Sequence, residues 1–284
     1  MMTRRVFLKG TAAGVAGAAV ASHLATAQAG TAAKIRMSSC SCGGLADCKK
    51  AGLEGVEVGV GGPDDTLHIA KPDVRQRYKD EMKQTGLPIS SFMMGLLNGN
   101  PLATDPRGPA WLEQSIEAAG DLKVGVILIA FFGKGSLKEG QGMKKADVDV
   151  VVERLKAAAP KAKDAGTILG IENTLSAEQN LEILERIGHP SVRIYYDCYN
   201  LAGEGYDVCA EIKRLKDKIS IFHFKNGGDY LETGKVKFEP IAKAMQEIGY
   251  QGWIVLETSN PSKDRIADAR KNAEYVRKLF GVTA

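Results

Sequence analysis

The amino-acid sequence predicts a single α/β domain built as a (β/α)8 barrel, and two observations support this prediction. Eight short apolar segments rich in β-branched residues recur at regular intervals, and most intervals between them contain lysine- and glutamate-rich stretches with helical periodicity. Near-continuous apolar strands that alternate with amphipathic helices are typical of a parallel sheet covered by helices. An open doubly wound sheet is the alternative, although it usually has fewer strands and a glycine-rich phosphate-binding turn.

The eight predicted strands follow one another along the chain in the order that a barrel requires. They cover residues 33–39, 55–60, 88–94, 124–132, 166–173, 191–200, 219–226 and 252–259. The helix predicted before the fifth strand places Val148, Val151 and Leu155 on one face. The glycines of the segment 131–142 (FFGKGSLKEGQG) do not form a dinucleotide-binding motif, and we interpret this segment as a mobile active-site loop.

The first residues predict an export signal. Residues 3–9 (TRRVFLK) match a twin-arginine pattern, an Ala/Gly-rich apolar run follows, and Ala27-Gln28-Ala29 provides a small-residue cleavage site. We therefore predict a signal peptide over residues 1–29 and a mature domain over residues 30–284. The twin-arginine export machinery would deliver this domain, already folded, to the periplasm or the medium. The apolar run is too short and too rich in glycine for a good membrane anchor, so we expect no membrane contact after cleavage.

Charge and cysteine content limit the possible partners. Residues 1–29 carry three basic and no acidic side chains, so the net charge falls from +4 for the whole chain to +1 for the mature domain. This near-neutral balance gives no support for a nucleic-acid partner. The cysteine spacing fits no zinc pattern well, and we expect packing residues with at most one disulfide near the start of the domain. The five cysteines are Cys40, Cys42, Cys48, Cys198 and Cys209.

Four consecutive predicted strands end in potential metal ligands. These residues, from the fifth strand to the eighth, are Glu172, Asp197, His223 and Glu257. Functional residues of such a barrel lie at the C-terminal ends of its strands, so the four side chains should converge. Three carboxylates held close together repel one another, and a divalent cation removes that repulsion. We predict one divalent metal ion, with Mn²⁺ favoured and Mg²⁺, Co²⁺ or Zn²⁺ as alternatives for this ligand set.

The order of the motifs IEN, YDxxN, HxKN and GYxGWxxxET over residues 171–258 resembles the xylose isomerase-like TIM-barrel family. That family contains sugar isomerases and epimerases and also enzymes of the endonuclease IV type. The resemblance implies that Glu172, Asp197, His223 and Glu257 are the metal ligands. It also implies that Glu172 and Glu257 form the acid/base pair of an epimerase acting on a small carbohydrate.

Two positions depart from the pattern of the family. Asn200 stands where many of its epimerases have histidine, and Asn226 stands where aspartate is common. Both positions often contact substrate hydroxyls in the family, so the identity of the sugar stays open while the metal centre does not.

The predicted activity is that of a metal-dependent sugar isomerase or epimerase, which moves a proton next to a carbonyl. This reaction needs a base, an acid and stabilisation of the enediolate. Asn200 and Lys225 are candidate substrate contacts. Lys225 shares a strand face with His223, and it could equally well form an ion pair with a ring carboxylate. Glu57 lies in a buried strand and must be paired, as a substrate contact, as a support for the site or in a structural ion pair.

Other functions could use the same site. A lyase or hydratase acting on 3-keto-glycosides would need the same base and metal, and a non-catalytic periplasmic sugar-binding protein would use the ring for binding alone. The nuclease branch is disfavoured, because its three-metal centre needs several histidines. Residues 30–284 contain only His68, His189 and His223, and His189 is predicted at the opposite end of the barrel. A homo-oligomer is possible, and nothing in the sequence specifies one.

The export prediction can be tested by replacing both Arg4 and Arg5 with lysine. We expect the precursor to stay in the cytoplasm, because the signal depends on the arginine pair rather than on positive charge alone. Cell fractionation and immunoblotting measure the distribution. The variant Lys9→Arg, outside the pair, should be exported like the wild type. Normal delivery of the double variant would refute the assignment.

Overall fold

The computed structural model describes residues 35–282, and the signal peptide predicted over residues 1–29 lies outside the described residues. Eight parallel strands form a closed barrel in which each strand pairs with its neighbour along the chain and the last strand returns to the first. The strands are β1 (Ile35–Ser39), β2 (Gly55–Gly59), β3 (Ile89–Met94), β4 (Val126–Ala130), β5 (Ile168–Glu172), β6 (Val192–Asp197), β7 (Ile219–Phe224) and β8 (Gly252–Leu256). The predicted (β/α)8 fold is confirmed, and each strand lies within its predicted segment.

Helices follow the strands and cover the outside of the barrel. Within residues 35–282 they are α1 (Leu45–Lys50), α2 (Pro72–Thr85), α3 (Gly108–Leu122), α4 (Lys145–Asp164), α5 (Ala177–Ile187), α6 (Cys198–Gly203), α7 (Val208–Leu215), α8 (Phe238–Glu247) and α9 (Arg265–Phe280). The local sequence explains where several of these helices begin or end. For example, Ser176 and Gln179 bind each other's backbone N–H groups in a capping box that starts α5. Among the described helices, none has both the length and the apolar character needed to cross a bilayer.

Apolar side chains fill two regions, one inside the barrel and one between the strands and the helices. The inner cluster is formed by Val126, Leu128, Ala130, Tyr195, Ile221 and Val255. Alternation along β7 shows the division, because Phe222 and Phe224 belong to the outer region whereas Ile221 belongs to the inner one. His223 shares the face of Ile221, and its ring lies 4.6 Å from that of Tyr195. The barrel interior is therefore packed up to the level at which the functional side chains begin.

The glycine-rich segment after β4 has more regular structure than its sequence indicates. A 3-10 turn (Gly133–Gly135) is followed by a two-stranded antiparallel hairpin, Lys138–Glu139 with Gly142–Met143. The Lys138 side chain forms an ion pair with Glu204, just after α6. The hairpin is thus tied to a neighbouring part of the same end of the barrel, and the mobility expected of this segment stays a prediction.

Trp111 in α3 provides a test of the outer packing region. Its side chain is fully buried, its indole N–H donates to the carbonyl oxygen of Asp64 at 2.8 Å, and the Arg107 guanidinium lies 4.5 Å from its ring. Trp111→Ala should lower the free energy of unfolding by about 3–5 kcal/mol, because it leaves a large cavity. Urea denaturation measures the change. Val150→Ala, at an exposed position of α4, should change it by less than about 0.5 kcal/mol. Equal effects would contradict this account.

Candidate active site

The four predicted ligands meet at the C-terminal mouth of the barrel, and we call them the ligand ring. Glu172 and Asp197 are the last residues of β5 and β6, His223 is the next-to-last residue of β7, and Glu257 follows β8. Parallel pairing sets Asp197 opposite His223. One ligand atom from each of the four residues lies within 4.8 Å of all the others. The structure thus brings together the side chains that the sequence singled out.

His223 is almost completely buried, and its two ring nitrogens face different carboxylates. Nε2 lies 3.0 Å from Glu57 Oε1, whereas Nδ1 lies 3.1 Å from Glu172 Oε1 and 3.4 Å from Glu257 Oε2. A proton on Nε2, donated to Glu57, leaves the Nδ1 lone pair directed into the ligand ring. Burial alone would lower the pKa of His223, but the negative charges of Glu57 and Glu172 raise that pKa well above its ordinary value.

Glu57 lies behind His223, on the side away from the ligand ring. The hydroxyls of Tyr195 and Ser91 each donate to its Oε2 at 2.7 Å, and its side chain has no exposed surface. Burial would raise the pKa of Glu57, but the charge of His223 and these hydrogen bonds hold the pKa below its ordinary value. The geometry corrects the expectation of a substrate contact. Glu57 is buried and is paired with His223.

Lys225 lies at the edge of the ligand ring and is paired with two of its carboxylates. Its Nζ is 3.0 Å from Asp197 Oδ2 and 2.8 Å from Glu257 Oε2. Burial would lower the pKa of Lys225, but these two carboxylates raise it above its ordinary value, so the side chain carries a positive charge. The ion pair considered from the sequence is therefore present. The part of the side chain that remains exposed faces the cavity described below.

The donor atoms of the ligand ring fit a divalent cation. Asp197 Oδ1 accepts the backbone N–H of Asn200 at 2.7 Å, whereas the buried Asp197 Oδ2 lies 3.0 Å from Lys225 Nζ and 4.0 Å from His223 Nδ1. Buried carboxylates are costly unless positive charge compensates them, and the three carboxylates of the ligand ring outnumber these two basic groups. Burial, together with the charges of Asp197 and Glu257, raises the pKa of Glu172 to about 7. Three carboxylates and one imidazole suit Mn²⁺, Mg²⁺ or Co²⁺, and Zn²⁺ accepts the same atoms.

A cavity of about 260 Å³ opens above the ligand ring. Besides ring residues it is lined by Met93, Gly95, Asn98, Leu128, Ala130, Phe132, Asn200 and Lys225. Asn200 was expected here from the sequence, whereas Met93 and Asn98 were missed and Phe132 was placed only in the loop predicted over residues 131–142. All three lie at or just after the C-terminal end of β3 or β4. Their position at strand ends could have identified them as candidate site residues from the sequence. A larger cavity of about 530 Å³ lies between α6 and the start of α8, and no ring residue lines it.

Asn226 has a structural role in the loop between β7 and α8. Its side-chain amide donates to the carbonyl oxygens of Leu231 at 3.0 Å and Val236 at 2.9 Å, and its oxygen accepts the N–H of Val236 at 2.9 Å. Gly234 passes so close that a Cβ there would lie 2.2 Å from Asn226 Cγ. The departure from the family pattern at this position therefore affects how the loop is held, and this side chain is not part of the cavity lining.

Comparison with known proteins now defines the family. The family model described as a xylose isomerase-like TIM barrel matches residues 45–279. The chain belongs to this family. A ketose 3-epimerase from Arthrobacter globiformis is 29% identical in an alignment of length 207 that covers 66% of this chain and 69% of that protein. A 2-epi-5-epi-valiolone 7-phosphate 2-epimerase from an Actinoplanes species is 22% identical over 158 residues, covering 55% of this chain and 56% of the relative.

Solved structures agree with the architecture of this xylose isomerase-like barrel. The structure of an L-ribulose 3-epimerase superposes with a TM-score of 0.72 at 21% identity, covering 88% of this chain and 95% of that one. A D-psicose 3-epimerase from Clostridium cellulolyticum, solved with D-tagatose, gives a TM-score of 0.68 at 15% identity, covering 86% and 99% of the two chains. At these identities the likeness shows the fold.

The pairing of Glu57 with His223 predicts an effect on metal binding. Glu57→Gln should weaken Mn²⁺ binding by about 10–100-fold, because the neutral amide no longer holds the Nε2 proton of His223 with a charge. Isothermal titration calorimetry measures the affinity, and circular dichroism checks the fold.

The matched control is Glu54→Gln, at the residue that precedes the N-terminal end of β2. The Glu54 carboxylate accepts the backbone N–H of Met37 at 3.1 Å and does not touch the ligand ring. This control should bind Mn²⁺ as the wild type does. Unchanged affinity in folded Glu57→Gln would show that Glu57 does not position the histidine for a metal.

Proposed function

We propose that this protein is a metal-dependent sugar isomerase or epimerase that moves a proton at a carbon next to a carbonyl. The observation that carries the proposal is the ligand ring, in which Glu172 and Glu257 come from strands three positions apart and meet below one cavity. Two carboxylates at separate points of a cation site can serve opposite faces of one carbon. The epimerase activities named for the curated relatives support an isomerase-class sugar enzyme.

Glu172 and Glu257 would act as the base and the acid. Glu172 is buried at the floor of the cavity, where its carboxylate would accept a proton from a substrate held by the cation. The Glu257 side chain is 36% exposed and accepts a hydrogen bond from Lys225, so it faces the cavity in a fixed orientation. One glutamate would remove the proton from the substrate carbon and the other would return a proton to the opposite face. The configuration at that carbon would thereby invert.

The remaining residues would bind and orient the substrate. His223 Nδ1 and the carboxylates of Glu172, Asp197 and Glu257 would hold the cation. When bound, a divalent cation supplies Lewis-acid stabilisation of negative charge that develops on the substrate oxygens. Lys225 is positively charged and partly exposed to the cavity, so it would donate a hydrogen bond to a substrate hydroxyl or carbonyl oxygen.

The cavity supports a single sugar without a phosphate as the substrate class. A volume of about 260 Å³ is small for a ligand site, and the basic residues among those that line it are His223 and Lys225. Because both side chains are already paired with carboxylates, neither is left to bind a phosphate. Asn98 and Asn200 would offer amide groups to hydroxyls, and Phe132 would offer apolar surface to the C–H face of the sugar.

Hydrogen exchange provides the test of this proposal. In D₂O the Mn²⁺-loaded protein should replace one substrate C–H next to the carbonyl by deuterium, as followed by NMR across free ketoses, 3-keto-glycosides and ketose phosphates. Glu172→Gln and Glu257→Gln should each reduce exchange by about 10²–10⁴-fold, because the amide cannot accept the proton. Metal content must be measured in each variant, since the same oxygens would also hold the cation.

The control for both variants is Glu139→Gln, an exposed position on the hairpin after β4, which should exchange at the wild-type rate. Elimination products from a 3-keto-glycoside would establish the lyase alternative instead. If the metal-loaded protein binds a sugar but never exchanges its hydrogen, the protein is a binding protein and the catalytic proposal fails.

A further inference from the structure

The turn between β1 and α1 brings two buried cysteines together. The side chains of Cys42 and Cys48 are at most 1% exposed and belong to the same buried cluster. Cys48 Sγ also lies 4.0 Å from the carbonyl oxygen of Gly43, the residue that follows Cys42. Both residues are free thiols in this structure. The turn therefore sets the Cys48 side chain against the residue next to Cys42, and this placement does not depend on a bond between the two sulfur atoms.

Backbone hydrogen bonds hold both cysteines in place. Ser39 Oγ accepts the backbone N–H of Cys42 at 3.0 Å and donates to the carbonyl oxygen of Leu256 on β8 at 2.8 Å. The N–H of Cys48 donates to the carbonyl oxygen of Gly44 at 3.0 Å in the first turn of α1. Disulfide geometry tolerates little displacement of the two backbones, so a pair that is already held by the barrel and a helix is favourable for bond formation.

We propose that Cys42 and Cys48 form a disulfide bond when the chain folds in the presence of a small-molecule disulfide such as oxidised glutathione. One cysteine thiolate attacks the small disulfide and releases one small thiol, which leaves a mixed disulfide. The second thiolate then displaces the other small thiol and forms the Cys42–Cys48 bond. The two cysteines are oxidised, one small disulfide is reduced to two thiols, and the two cysteine protons pass to those thiols.

The other three described cysteines have different surroundings. Cys40 faces the barrel, with Sγ 3.8 Å from the carbonyl oxygen of Leu256 and close to Glu57 and His223. Cys198 begins α6 and Cys209 lies in α7, on the part of the barrel that follows β6. Oxidation of the Cys42–Cys48 pair would therefore leave Cys40 free. The bond would also fix the turn between β1 and α1, and this turn places Cys40 next to Glu57 and His223.

Peptide mapping tests this pairing, and it does not depend on the proposed activity. Residues 37–49 form one tryptic peptide that contains Cys40, Cys42 and Cys48. The purified protein is refolded with oxidised and reduced glutathione, alkylated with iodoacetamide while denatured, and digested. We expect one alkyl group on this peptide, at Cys40, and a mass lower by two hydrogen atoms than that of the same peptide with two free thiols. Reduction before alkylation should give three alkyl groups.

Serine variants identify the partners. Cys40→Ser should keep the loss of two hydrogen atoms and carry no alkyl group on residues 37–49. Cys42→Ser and Cys48→Ser should each lose the bridge and carry two alkyl groups. The wild-type result is sufficient if a variant fails to fold. Three alkyl groups on oxidised wild-type protein would overturn the proposal, as would a bridge retained in Cys42→Ser.

Discussion

The hydrogen bond between His223 and Glu57 is the interaction on which the rest of the site depends. It joins β7 to β2 across the barrel interior, between residues 166 positions apart in the chain. Tyr195 on β6 and Ser91 on β3 complete the partners of the same carboxylate. Removing one partner of a buried charge pair typically costs about 3–5 kcal/mol, because the other charge is left without compensation. The position of the ring histidine is therefore set by the packing of four strands.

Strand register makes this arrangement specific. Side chains alternate between the two faces of a strand, so a slip of one residue in β7 would exchange His223 with Phe222 or Phe224. Those two aromatic side chains belong to the outer packing region, away from the carboxylates of the ligand ring. The same alternation sets His223 and Lys225 on one side and lets the lysine reach Asp197 and the carboxylate after β8. The hydrophobic pattern thus specifies the geometry of the ligand ring as well as the fold.

Local patterns in the sequence were sufficient for the strands and for the ligand ring, because both follow from periodicity and from the rule that barrel sites form at the C-terminal ends of strands. The pairing of Glu57 with His223 could not be assigned in this way, since it depends on which side chains face each other across the closed barrel. The structural role of Asn226 could not be assigned for a similar reason. Its partners, Leu231 and Val236, lie in a loop whose course no periodicity specifies. Asn98 was missed because its polar side chain follows the strand after a further turn.

The charges of the site also limit what can bind there. Four carboxylates face two basic side chains, and the six residues are Glu57, Glu172, Asp197, Glu257, His223 and Lys225. His223 Nδ1 would have to lose its proton before it could hold a cation. Cation binding would therefore release positive charge as a proton while it adds the charge of the metal, so the net charge of the site would change little. A site that stays negative attracts cations and repels phosphate. The same excess of carboxylates that suits a divalent metal is therefore consistent with the proposal of an uncharged sugar, rather than a phosphorylated one, as the substrate.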